Sequence, residues 1–215
     1  MSFSVSLQQF DVMLLNIFRW FINQDSGIQV SLIHIFADIE LIVCAFFLVF
    51  LWFYGLAQKE IFYKEQSLKI FFSIVISIVF CILLNNILPF RPRPEVMSTI
   101  LPLISHIPDN SFPSMHAMFA GSSTFAAFLF LQSPQKKYSW FKYFIHMWMP
   151  WVLWVLWILM AFSRVLAWIH YPGDIMVGYL LSIILTYMTA PVFQYQCVKK
   201  YFLQFLIRLA SFLHL

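Results

Sequence analysis

Apolar runs of about twenty residues recur along this chain, the length a helix needs to cross the roughly 30 Å hydrocarbon layer of a bilayer. Only 10% of the 215 residues are charged and the mean hydropathy is +0.82, where a soluble domain would carry about a quarter charged residues. The apolar–polar alternation of a membrane β-barrel is missing. The expected fold is therefore all-α, a polytopic transmembrane helix bundle with five strong spans at 31–56, 68–90, 114–132, 144–168 and 173–195. Residues 1–30 set Phe3, Leu7, Phe10, Leu14, Phe18 and Phe21 among polar side chains. That is the pattern of an N-terminal amphipathic helix, lying at the interface or spanning. Residues 31–195 form the membrane core, and 196–215 an amphipathic tail with Lys199, Lys200 and Arg208. No Lys or Arg precedes Arg19, so a cleaved leader is not expected. Cys44, Cys81 and Cys197 match no metal spacing and read as small buried hydrophobes.

The lysines orient the bundle. All eight fall in three places: Lys59, Lys64 and Lys69; Lys136, Lys137 and Lys142; and Lys199 with Lys200. With five spans these places share one side, which the positive-inside rule makes cytoplasmic. The segments 91–113 and 164–174 then face outward. They hold no lysine but three of the five arginines, Arg91, Arg93 and Arg164. An arginine anchoring a span end should share the lysine side, and these do not. Arginine is also the residue whose planar fork holds phosphate oxygens by paired hydrogen bonds. Arg91 reads equally as a second phosphate contact or a headgroup anchor.

Three polar segments end hydrophobic runs on that outer face: Arg91-Pro92-Arg93-Pro94, then Asn110-Ser111-Phe112-Pro113-Ser114-Met115-His116, then Ser163-Arg164 with His170 and Asp174. Ionisable residues at span ends facing a bundle interior mark a site by default. Ser114 suits a helix N-cap, and a helix N-terminus attracts anions through its free N–H groups. His116, just inside that helix, can donate a proton to a departing oxygen. Pro172 belongs in the first turn of the last span, which leaves His170 just before it and Asp174 within it. A carboxylate there can orient the imidazole and free its other nitrogen for attack. Arg164 and His170 are six apart and on one helix would point about 120° away from each other. For both to reach one phosphate, the fourth span must end near Trp168 and the chain must turn, with Tyr171-Pro172-Gly173 a suitable place for that turn.

Together these residues resemble the type 2 phosphatidic acid phosphatase superfamily of membrane lipid phosphatases. Its pattern is Lys, six residues, Arg-Pro; then Pro-Ser-Gly-His; then Ser-Arg, five residues, His, three residues, Asp. Ser163, Arg164, His170 and Asp174 meet the third element in full; Pro113, Ser114 and His116 meet the second, with Met115 in place of Gly; Arg93-Pro94 meet the first, with Asn86 in place of Lys. The resemblance covers about residues 30–195. It implies that His170, oriented by Asp174, attacks phosphorus to form a phosphohistidine, and that His116 protonates the leaving oxygen. Arg93, Arg164 and Ser114 would hold the phosphate, with Arg91 in place of the missing Lys and Asn86 as a possible-contact position for substrate. It also implies no metal and no cofactor, which suits a sequence with no carboxylate cluster for Mg²⁺.

Within that superfamily the chain is most similar to bacterial undecaprenyl-diphosphatases of the bacitracin-resistance type, which share Pro-Arg-Pro and a Ser-Phe-Pro-Ser-x-His stretch. The expected enzyme is an undecaprenyl diphosphate phosphatase of the bacterial inner membrane, facing the periplasm or exterior and recycling the cell-wall carrier. Lipid A 1-phosphate and phosphatidylglycerol phosphate are alternative substrates, and a non-enzymatic lipid-phosphate transporter is the reading from another class. The expected partners are the bilayer and a lipid phosphate, with no nucleic acid. Asp38 and Glu40 could face the site or cap their helix, the structural reading being favoured; His106 and Asp109 could contact substrate, loop solvation being favoured; His34, His146 and His214 read as structural. The Trp148, Trp151, Trp154 and Trp157 series reads as lipid-facing.

Overall fold

The computed structural model describes residues 3–20, 26–97, 102–104, 109–132 and 139–212. Its helices are α1 (Phe3–Arg19), α2 (Gly27–Ala57), α3 (Ile61–Ile87), the single turn α4 (Pro94–Met97), α5 (Met115–Phe130), α6 (Trp140–Tyr143), α7 (Met149–Leu166), α8 (Pro172–Thr189) and α9 (Gln204–Phe212). A π-helical stretch, Phe144–Trp148, joins α6 to α7, so Trp140–Leu166 runs as one segment. No strand occurs among the described residues.

Among the described residues, four segments are long and apolar enough to cross a membrane: Gly27–Ala57, Ile61–Ile87, Trp140–Leu166 and Pro172–Gln194. The fifth expected span folds as α5, which has only 16 residues and is about 24 Å long. The five-span expectation thus becomes four long helices around one short one. Expected and observed ends differ most at α3, which begins at Ile61 rather than 68. Its first turns carry Lys64, Glu65 and Gln66, which break the apolar run yet are buried. Glu65 is paired with Lys199 at 3.4 Å.

α5 is the centre of the bundle, packed against α2, α3, α7 and α8. Ala117, Ala120, Gly121, Ser122, Ser123, Ala126 and Ala127 on it are all buried, and such small side chains let helix backbones approach closely in a membrane. A Cβ at Gly121 would lie 2.0 Å from the Ser182 Oγ and 2.8 Å from the Tyr179 carbonyl. At Gly178 it would lie 2.9 Å from the Ser114 carbonyl. These contacts fix α5 against α8 so that their N-termini adjoin. The Ser114 N–H donates to the Asp174 carbonyl at 3.2 Å.

The chain turns at residues 167–170, ahead of Tyr171-Pro172-Gly173 where the turn was expected, because Pro172 and Gly173 already belong to the first turn of α8. α7 ends at Leu166, and Trp168 adopts φ 64°. That left-handed conformation costs a bulky residue about 1–2 kcal/mol, which burial of the indole beside Leu15, Val165 and Ile175 offsets. α1 joins the bundle through that same cluster. Phe18 packs edge-on against Phe162 of α7 at 5.7 Å.

The tryptophan series divides. Trp148, Trp151 and Trp154 are exposed on the outside of the bundle, but Trp157 is stacked on Tyr179 of α8 at 3.7 Å. His146 is buried, with Nε2 3.2 Å from the Tyr63 hydroxyl and Nδ1 against the Leu131 carbonyl. His106 and His214 lie outside the described residues.

Candidate active site

The three polar segments meet at one end of the bundle. From Lys64 to Asn85, α3 rises about 31 Å, so the lysine end and the arginine end lie far apart. At the arginine end the loop after α3 supplies Arg91 and Arg93, the approach to α5 supplies Ser111 to His116, and the α7–α8 corner supplies Arg164, His170 and Asp174.

His170 is buried and held from both sides. Arg93 Nη1 lies 3.0 Å from its Nε2, and the Ser111 carbonyl lies 3.2 Å from its Nδ1. A guanidinium can only donate and a carbonyl can only accept. The two partners together therefore assign the proton to Nδ1 and leave a lone pair on Nε2. The Ser111 carbonyl was not anticipated from sequence. The expected orienting group, Asp174, has its Oδ2 3.8 Å from Nδ1, beyond hydrogen-bond range.

Asp174 is instead the hub behind the histidine. Its Oδ1 accepts from Arg91 Nη1, and its Oδ2 accepts from the Ser111 hydroxyl and, at 3.1 Å, from the Tyr171 N–H. This fully buried carboxylate thus braces the residue whose carbonyl orients His170. Arg91 is correspondingly committed: its Nη2 is 2.6 Å from Asp11 and its guanidinium covers the Tyr171 ring at 4.4 Å. Neither alternative foreseen for Arg91, phosphate contact or headgroup anchor, describes that arrangement.

The remaining cations face outward beneath acids. Arg93 is paired through Nε with Asp109 at 2.8 Å, and Nη1 also donates to the Ile169 carbonyl at 2.7 Å. Arg164 donates to Asp38 at 2.5 Å and to the Ala37 carbonyl at 3.3 Å. The same Asp38 oxygen lies 3.4 Å from His116 Nε2. Both arginine side chains are 4% exposed, while Asp38 and Asp109 are 56% and 50% exposed. Asp38 and Asp109, expected to be structural and loop-solvated, therefore both belong to the cluster. Glu40 keeps the structural part, buried in the bundle and accepting from Ser123 at 3.1 Å.

Ser114 caps α5 as expected, its hydroxyl accepting from the Ala117 N–H at 3.5 Å. Asn86 is exposed, and its amide donates to the Ile82 carbonyl of its own helix at 2.7 Å, so it is not turned into the cluster. No sequence signal marks Asp11 or Asp38, because Asp11 meets Arg91 across 80 residues of chain and Asp38 meets Arg164 across 126. Among the described residues no group of three or more His, Cys, Asp or Glu side chains could hold a metal ion.

Chemically, the arrangement is a lone-pair nitrogen flanked by a guanidinium, with a second guanidinium and a second imidazole sharing one acid nearby. Those parts can bind a tetrahedral oxyanion and accept a group in transfer.

The chain resembles known proteins in sequence and in fold. The chain is 29% identical over 141 residues to an undecaprenyl-diphosphatase of Sulfolobus acidocaldarius, covering 63% of this chain and 61% of that protein. It is 33% identical over 110 residues to a protein named bacitracin transport permease protein BcrC of Bacillus licheniformis, covering 50% and 45%. The matched stretches thus span less than two thirds of either relative. The fold resembles the transmembrane PAP2 type phosphatidylglycerolphosphate phosphatase from Bacillus subtilis, with TM-score 0.61, 17% identity, and 87% and 86% of the two chains covered. It also resembles Aquifex aeolicus LpxE, with TM-score 0.54, 23% identity, and 82% and 94% covered. Residues 66–197, which hold every motif derived above, match the family model of the PAP2 superfamily, and the chain belongs to that superfamily.

Proposed function

We propose that the protein is an integral membrane lipid phosphatase working through a phosphohistidine at His170. The observation that carries this is the pair of contacts on its ring, Ser111 carbonyl on Nδ1 and Arg93 on Nε2, which leaves Nε2 as the nucleophilic atom. That nitrogen attacks phosphorus while Arg93 and Arg164 neutralise the equatorial oxygens. The bond from phosphorus to the leaving oxygen breaks, and His116 gives that oxygen its proton. Water then attacks the phosphohistidine, returns a proton to His116, and releases phosphate and free His170. Ser114 caps α5 so that the positive end of that helix lies toward the anion.

Undecaprenyl diphosphate is the favoured substrate, on the relationship to the Sulfolobus enzyme and on the Ser-Phe-Pro-Ser-x-His stretch. Phosphatidylglycerol phosphate and lipid A 1-phosphate share the same chemistry at phosphorus. A lipid tail is accommodated by an apolar cavity of about 340 Å³ beside the site, lined by Phe18, Phe162, Val165, Pro172 and Met176. Val165 and Pro172 adjoin Arg164 and Tyr171 in sequence. The arginine-end site opens on the outer face of the plasma membrane, as the lysine distribution supports.

The test is phosphate release by purified protein in detergent with EDTA present, offered undecaprenyl diphosphate, phosphatidylglycerol phosphate and lipid A. Preference for either of the last two replaces the substrate and keeps the mechanism. Release from none of them, with binding retained by His170→Ala, favours a transporter, the activity that the Bacillus licheniformis relative's name describes.

A further inference from the structure

We propose that Asp11 of the N-terminal helix is a positioning residue for His170, acting through Arg91; the proposal rests on the phosphohistidine reading. Asp11 is 7% exposed although it sits on an amphipathic helix, and both its oxygens are engaged with the site's supports. Oδ2 takes Arg91 Nη2 at 2.6 Å, and Oδ1 takes the Gly173 N–H at 2.8 Å. The first contact aims the guanidinium, so that Nη1 meets Asp174 and the ring of Tyr171 lies beneath. The second ties down the first turn of α8, one residue before Asp174.

The backbone of Arg91 joins the same structure. Its carbonyl accepts the Ser111 N–H at 3.0 Å, and its N–H donates to Asn110 Oδ1 at 3.1 Å. Ser111 therefore meets this support twice, through its N–H on Arg91 and its hydroxyl on Asp174, and its own carbonyl sets the His170 tautomer. Without Asp11, one face of a long cation is released. Arg91 is then free to leave Asp174 and compete for the substrate anion.

An independent observation marks the contact as built. A Cβ at Gly173 would lie 2.6 and 2.8 Å from the Asp11 oxygens. Alanine is otherwise the better residue inside a helix, so glycine here makes room for that carboxylate. Asp11 lies outside the stretch 66–197 shared with the family model.

The experiment uses the full chain, purified in detergent, with kcat and KM for phosphate release measured on wild type, Asp11→Asn, Arg91→Gln and the double variant. Asp11→Asn is expected to lower kcat by about 10–100-fold, the usual cost of losing an outer support of a reacting group, with KM within about twofold. The double variant should be no slower than Arg91→Gln alone, because both changes break one connection. Gly173→Ala should reproduce the loss, and Asp11→Ala/Gly173→Ala should be no slower than Asp11→Ala. This second series also decides the matter if Asp11→Asn fails to fold. An Asp11→Asn enzyme within twofold of wild type, a change in KM alone, or multiplicative losses in both pairs overturns the proposal. A wild-type protein that releases phosphate from no lipid overturns the reading beneath it instead.

Discussion

Arg93 Nη1 lies 3.0 Å from His170 Nε2. The guanidinium thus rests on the nitrogen that the proposed chemistry needs, and a bound phosphate would put one of its oxygens on Arg93 as that nitrogen reaches phosphorus. The contact ties binding of the anion to exposure of the nucleophile.

If Nε2 is the attacking atom, His170→Ala should lose at least about 10³-fold in kcat, as removal of a nucleophile does. Rapid quench of wild type with labelled substrate should trap an acid-labile, base-stable phosphoprotein, and none should form in the variant. A trapped phosphate elsewhere in the chain would end the assignment.

If His116 serves the leaving oxygen, its importance should depend on what leaves. His116→Ala is expected to slow an alkyl phosphate by about 10²–10⁴-fold, the range of general acid catalysis. An aryl phosphate with an acidic leaving group should suffer much less. Equal losses on both would assign His116 to binding.

Asp38 and Asp109 are paired with Arg164 and Arg93, so a phosphate held by those arginines would have to displace them. Asp109→Asn should tighten inhibition by inorganic phosphate, by up to about fivefold, since a half-exposed pair contributes at most about 1 kcal/mol. Asp38→Asn should tighten it similarly but also slow turnover, because Asp38 touches His116 as well. Weaker inhibition in Asp109→Asn would show the acid to be an organiser of Arg93 rather than a competitor.

Gly121 leaves no room for a side chain between α5 and α8. Gly121→Val is expected to destabilise the folded protein by about 1–3 kcal/mol or more, as overpacking does, and to lower its melting temperature in detergent. Activity should fall with it, because the same interface aligns Ser114 with Asp174. A variant with unchanged melting temperature would remove α5 as the element that sets the site.

The motif residues were legible in sequence because each stands at the end of an apolar run, and a helix end is a local property. The same logic anticipated the end of α7 near Trp168 and the Ser114 cap, but set the turn at Tyr171-Pro172-Gly173, a few residues late. It did not anticipate the shortness of α5 or the early start of α3, because buried polar residues such as Glu65 and Gln66 look like a loop until their partners are known. The acidic half of the site was likewise hidden. For Asp38 the site-facing reading ranked below the structural one because nothing within α2 distinguishes an acid that meets Arg164 across 126 residues from one that caps a helix.

Hydrophobic length and the positions of prolines, glycines and charges, taken alone, determined a helical membrane bundle in which Arg91, Arg93, His116, Arg164 and His170 gather at one end. Tertiary structure alone decided which acid meets which cation, that Arg91 supports Asp174, and that the Ser111 carbonyl holds the His170 ring. The reason is that transfer of apolar length into a bilayer depends on composition along one segment. Pairing of buried charges depends on how helices rotate about their axes and how closely they approach, and here the small side chains of α5 set both.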